Sequence, residues 1–96
     1  GKVAVLVSPG YGAGWSTWNP SEPQCLFDPD VVAWVMGGKQ GGLPDLKVKY
    51  GVDYFCSLGS TSLDIEWVPV GAKFRIEEYD GFESLVLESE ENWLVA

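Results

Sequence analysis

The run Val3-Ala4-Val5-Leu6-Val7, closed by Ser8-Pro9-Gly10, constrains this chain more than any other stretch. Consecutive apolar residues, rich in Val and stopped by Pro and Gly, read as a short strand buried on both faces. Such a strand is expected at the centre of a sheet.

Residues 11–23, Y-G-A-G-W-S-T-W-N-P-S-E-P, carry Gly and Pro punctuation and no apolar period, the pattern of a long loop. Loops of this length inside a compact domain are usually functional or disordered. Two Trp and a Tyr in this one argue against disorder.

Phe27-Asp28-Pro29-Asp30 is a helix start. Asp28 can accept amide hydrogen bonds as N-cap, Pro29 fits the first helical position, and Asp30 complements the positive end of the dipole. Phe27 can staple against Val32 or Ala33 one turn on. The helix runs through V-V-A-W-V and ends at Gly37-Gly38. A second short helix or turn is expected from Pro44-Asp45 to Tyr50-Gly51, although its V-K-Y is compatible with extended chain.

The C-terminal half changes period. Leu63, Ile65 and Trp67 alternate with Asp64 and Glu66, and Phe74 and Ile76 alternate with Lys73, Arg75 and Glu77. Asp80-Gly81 is a two-residue hairpin turn of type I′, flanked by Tyr79 and Phe82 as a cross-strand aromatic pair. The return strand is E-S-L-V-L-E, followed by a turn at Ser89 to Glu91 and a short element at Trp93-Leu94-Val95. The elements define an α+β class: an N-terminal strand, a long Gly/Trp loop, one or two short helices and a C-terminal antiparallel meander. The helix around Trp34 is expected to cover one sheet face. With no repeat and no linker, residues 1–96 form a single domain.

A chain of this size buries roughly two-thirds or less of its unfolded surface. The 46% hydrophobic content and five Trp compensate for so thin a core. Net charge is −8, from 14 acidic and six basic residues, and the basic ones are scattered. That argues against nucleic acid, which needs clustered cations, and equally against an anionic membrane surface. It fits a basic partner, DNA imitation, or plain solubility. No apolar run approaches the ~20 residues that span a bilayer, and no charged-then-apolar leader is present. Reduced thiols are the default for Cys25 and Cys56, with their pairing left open.

The chemistry available is narrow. The chain has no His, hence neither the commonest general base nor the commonest metal ligand. Two distant Cys without His cannot complete a tetrahedral zinc set. Glu77, Glu78, Asp80 and Glu83 cluster at the hairpin, where solvated charges that discourage edge pairing are the simplest reading. No set converges on catalysis, so an enzyme is not expected, nor a metal or cofactor.

The loop after the first strand stands where a phosphate-binding turn would sit. Gly10, Gly12 and Gly14 do not match the dinucleotide fingerprint, and no Gly-Lys-Ser or Gly-Lys-Thr occurs. What remains is a loop whose amides, at Gly12 and Gly14, can approach a ligand closely. Tyr11, Trp15 and Trp18 can stack on a planar ring, and Ser16, Thr17 and Asn19 can hydrogen-bond it. The competing reading tucks Trp15 and Trp18 beneath the loop as an extension of the core.

Y-G-A-G-W-S at Tyr11 to Ser16, placed after a strand, and E-Y-D-G-F-E at Glu78 to Glu83 together resemble small bacteriophage-encoded proteins of uncharacterised function. Phe27-Asp28-Pro29 matches the helix start of that group. Thr17 to Gln24 departs from the pattern in being longer and richer in Pro and Trp. The resemblance implies that the Gly-aromatic loop and the Tyr-Asp-Gly hairpin meet in space. It also implies a non-enzymatic accessory protein made in the bacterial cytoplasm and directed against host defence.

Two modes of action follow from that resemblance. In the first, a sponge, the loop from Tyr11 to Asn19 faces Tyr79, Asp80 and Glu83 and encloses a nucleotide-derived immune signal, with Lys73 or Arg75 assisting. In the second, the acidic surface covers a basic site on a host defence protein. The thin core and exposed aromatics favour a homodimer.

Overall fold

A computed structural model describes residues 1–12 and 14–88. Within it, β1 (Lys2–Val7) pairs antiparallel with β2 (Asp64–Pro69), with Leu6 opposite Ile65 and Val5 opposite Glu66. Between these strands come 3-10 turns at Ser16–Trp18 and Pro23–Phe27, helix α1 (Pro29–Met36), helix α2 (Leu46–Tyr50) and a 3-10 turn at Leu58–Ser62. A hairpin of β3 (Phe74–Tyr79) and β4 (Phe82–Leu87) follows. The α+β order stands as expected. The expected turn at Ser89 to Glu91 and the element at Trp93-Leu94-Val95 lie outside the described residues.

Directly opposed residues of an antiparallel ladder share a face, so the β1–β2 ribbon presents two. Leu6 and Ile65 face a cluster with Trp15, Cys25, Val31, Leu46, Phe55 and Leu63, and α1 packs on this side. Val5, Val7 and Val68 face the hairpin, which lays Phe74, Ile76, Leu85 and Leu87 against them. β1 is thus buried on both faces through Val5, Leu6 and Val7. It owes this to being the middle layer rather than the central strand of a sheet. Among the described residues it pairs with β2 alone.

The three C-terminal strands do not form one meander: β2 pairs with β1, and β3 with β4. The outer edge of β2 explains the break. Val70 N–H donates to Gly1 O at 3.1 Å, which extends a ladder in which Asp64, Glu66 and Val68 turn their amides inward. Ile65, Trp67 and Pro69 therefore point outward. The Ile65 amide is taken by the Asp64 carboxylate at 2.9 Å, and Pro69 has no N–H. An edge with only the Trp67 amide left to donate is a poor template for β3. Gly71, at φ +82°, turns the chain into the second layer instead.

The capping and turn signals resolve as expected, whereas the Phe27 ring packs edge-on against Phe74 of the hairpin. The Asp28 carboxylate accepts from the amides of Asp30 and Val31 at 3.0 and 3.1 Å, and Pro29 opens α1. Asp45 caps α2 through the Val48 amide, and Gly51 ends it in the left-handed region. The V-K-Y stretch is helical. Asp80 and Gly81 both have positive φ, 48° and 84°, as a type I′ turn requires. Tyr79 and Phe82 are register partners, but the ring lying on Phe82 is that of Tyr11.

Candidate functional site

The hairpin alternates, and Glu78 opposes Glu83 on the face that carries Phe74, Ile76, Leu85 and Leu87 into the core. At the turn end this face meets the Gly/Trp loop. Glu83 is only 1% exposed. Its Oε1 accepts the Ser8 amide at 3.0 Å. Its Oε2 accepts the amides of Trp15 at 2.9 Å and Thr17 at 3.0 Å, together with the Thr17 hydroxyl. Burying a carboxylate without a cation is costly, and these converging donors offset that cost.

Further contacts close the seam. Glu83 N–H donates to Ser8 O at 2.8 Å, and Gly12 N–H to Asp80 O at 2.5 Å. Trp18 Nε1 donates to Glu78 Oε1 at 2.7 Å, and the Gly81 amide reaches the same oxygen at 3.0 Å. Tyr11 stacks on Phe82 with ring centroids 4.9 Å apart. The loop and the hairpin therefore meet in space.

The residues picked out in the sequence divide into two sets. Trp15 is fully buried, edge-on to Phe55, with its indole N–H donating to Cys25 O at 2.9 Å. Asn19 is also buried; its amide donates to Trp15 O and Cys56 O and its carbonyl accepts the Cys56 amide. Trp15 and Asn19 therefore build the loop from inside, and Thr17 anchors it to Glu83. Gly14 is buried as well, because the turn at Leu58–Ser62 crosses above it: a Cβ on Gly59 would lie 2.4 Å from Gly14 O. Here the glycines serve close packing of backbone on backbone. Ser16 and Trp18 are half-buried along the seam, and Gly12 is exposed above it. Tyr11, Tyr79 and Asp80 are exposed at the tip, the two Tyr at 70% and 76%.

A second carboxylate hub was not apparent in the sequence, where Asp28 reads only as a cap. Asp28 is buried and also accepts from Lys49 Nζ, at 2.9 Å to Oδ2, and from the Tyr50 hydroxyl. Burial alone would push its carboxyl up. The hydrogen bonds from Tyr50, Lys49 and the Val31 amide, with the Lys49 charge, outweigh burial and hold it below the ordinary value. The Tyr50 phenol is pushed up by burial and then by its bond to Asp28. Lys49 is raised by its bonds to Asp30 and Asp28. No local signal announced this cluster, because the partners sit on different helices.

Cys25 and Cys56 are free and buried. Burial, followed by the charges of Glu83, Asp28 and Glu22, pushes the Cys25 thiol up to about 12. Among the described residues no cluster of His, Cys, Asp or Glu is placed to hold a metal ion. No described helix is long and apolar enough to cross a membrane.

Concavities among the described residues flank this framework. One of about 350 Å³ lies between Leu43, Leu46, Phe55 and Ser57, away from the loop and hairpin. Another, about 230 Å³, adjoins the seam between β2 and β4 and is lined by Val7, Pro9, Asp64, Glu66 and residues 82–85. No protein-family model matches this chain, and no curated protein or solved structure matches it either.

Proposed function

We propose that the protein is a non-enzymatic binding module that covers a basic surface of another protein. The observation that carries this reading is the occupancy of the loop amides. The Ser8, Trp15 and Thr17 amides around the loop are already held by Glu83, and the Gly12 amide by Asp80 O. Trp15, one of the rings available for stacking, is buried in the core. A nucleotide sponge would have to expel this carboxylate, so that reading ranks second.

The exposed tip supports a protein partner. Tyr11 and Tyr79 stand outward beside Asp80, a combination of amphipathic rings and charge common at interfaces. Ion pairs among the described residues take up Asp28, Asp30 and Glu77, so much of the net charge of −8 faces solvent uncompensated. On the phage resemblance, the partner is a defence protein of the bacterial host.

Affinity capture from bacterial lysate, followed by titration of the purified partner, tests this. The expected partner is basic. Its affinity should fall at least tenfold when salt rises from about 0.05 to about 0.5 M, as exposed charges are screened. Tyr11→Ala and Tyr79→Ala should weaken it further. A thermal-shift panel of cyclic dinucleotides tests the alternative. A ligand at ~100 times its Kd stabilises by ~2.7 kcal/mol, and a shift of that size would replace the present reading with the sponge.

A further inference from the structure

The groove between β2 and β4 combines an apolar floor, a charged rim and an open strand edge. Val7 and Leu85 contribute to the floor. Asp64 and Glu66 stand on one face of β2, opposite Val7 and Val5, and both residues line the groove. Both are exposed, and among the described residues neither lies within ion-pair distance of a cation. Two carboxylates on the same strand face repel each other, and beyond the Ile65 amide on Asp64 Oδ1 no described contact relieves them.

The second wall is the outer edge of β4. Glu88 N–H donates to Lys73 O at 3.0 Å, which continues the ladder so that Ser84 and Val86 turn their amides toward β3. Glu83 and Leu85 turn theirs outward. The Glu83 amide reaches Ser8 O, which shows that this edge already accepts extended chain at its turn end. Beyond that point no described strand covers it. At about 230 Å³ the groove is smaller than the roughly 300–1,000 Å³ typical of small-molecule sites. It has room for a long side chain carried on a strand.

We propose that this groove is the docking site for an extended, basic segment of the partner protein. The segment adds to the β4 edge beyond Glu83, with a Lys or Arg laid over Val7 and Leu85 and its cation between Asp64 and Glu66. Main-chain pairing to the Leu85 amide supplies register, and the carboxylates select the charge. Charge complementarity chooses this occupant over a second copy, because a copy of this chain would bring another −8 to an acidic rim. The inference rests on the acidic-binder reading and assigns it a place and a partner chemistry.

The test is a titration of the isotope-labelled chain with the peptide acetyl-Val-Lys-Val-Arg-Val-amide, followed by NMR at low salt. Shifts are expected at the Glu66, Ser84 and Leu85 amides. Asp64→Asn with Glu66→Gln should weaken binding about tenfold or more, equivalent to about 1.4 kcal/mol. Both changes keep side-chain size at exposed positions, and an unchanged urea midpoint would verify the fold. The same peptide with Glu in place of Lys and Arg should not bind. Binding that shifts only the Tyr79 to Gly81 tip and ignores the double variant would overturn the groove while leaving the acidic-binder reading in place. No binding of the basic peptide at low salt would overturn both. A dimer in light scattering that dissociates in the double variant would show that a second copy fills the groove, and would overturn the assignment.

Discussion

Glu83 accepts both the backbone amide and the hydroxyl of Thr17, a residue 66 positions earlier in the chain. This contact, with the parallel ones from Ser8 and Trp15, fastens the loop to the hairpin. Without Glu83, three amides would be buried against an apolar gap. Glu83→Ala should cost about 3–5 kcal/mol, a large share of what a domain this small has, and Thr17→Val about 1 kcal/mol. Urea midpoints measure both. A double-variant cost equal to the sum of the singles would show that the two residues do not act together.

The rings of the loop separate into structural and surface groups. Trp15→Ala should destabilise by about 3–5 kcal/mol through the cavity it leaves. Tyr79→Ala should stay within about 0.5 kcal/mol of the parent, because its ring is mostly in water, and Tyr11→Ala should cost about 0.5–1 kcal/mol through the lost contact with Phe82. Thermal melts of the three variants decide this, and a collapse caused by Tyr79→Ala would refute its placement at the tip.

The Asp28 hub predicts pH dependence on two sides. Asp28 is depressed in the fold, so its contribution is fully present above the unfolded value of about 3.9 and is lost as pH falls through the lower folded one. Tyr50 is raised, so its contribution is complete below about pH 10 and disappears as pH rises through the folded value. Asp28→Asn should flatten the acid limb of a stability–pH curve, and Tyr50→Phe the alkaline limb. Urea midpoints across the range give the curve, and an unchanged alkaline limb in Tyr50→Phe would rule the phenol out.

Cys25 should be inert in the native state. Its thiol, pushed up to about 12 and buried, is almost wholly protonated at neutral pH, and the thiolate is the reactive form. Thiol labelling at pH 8 should therefore follow global unfolding and accelerate in urea. Rapid labelling of Cys25 in native buffer would contradict its placement.

Backbone proximity gives the sharpest contrast between glycines. Gly59→Ala would force a Cβ against Gly14 O and should cost about 1–3 kcal/mol, because backbone cannot step aside cheaply. Gly42→Ala meets open space and should be near neutral. Chemical denaturation of the pair checks this.

What was legible in the sequence was local. The Asp28 cap, the Pro29 start, the glycine stop after Met36 and the Asp80-Gly81 turn all depend on neighbours within a few residues, and each stands in the fold. In the sequence Glu83 reads as one of the solvated hairpin charges, because alternation assigns a face but not what covers it. Its donors come from Ser8, Trp15 and Thr17, far upstream. The pairing of β2 was hidden for a related reason. Hydrophobic period marks Ile65 and Trp67 as strand, whereas the choice of β1 over β3 depends on which edge Asp64 and Pro69 blunt.

The register of β1 has a consequence for how the protein is made. Lys2 lies opposite Pro69, so β1 finds its partner only after the whole stretch between β1 and β2 has been made. Closing so long a loop is slow, and the pairing cannot be rehearsed by a shorter nascent chain. Until then the Val3–Val7 run and the Trp-rich loop wait together without cover, the interval in which a holding chaperone matters most. Closure of the ribbon therefore waits on the synthesis of β2 and cannot grow outward from β1 alone.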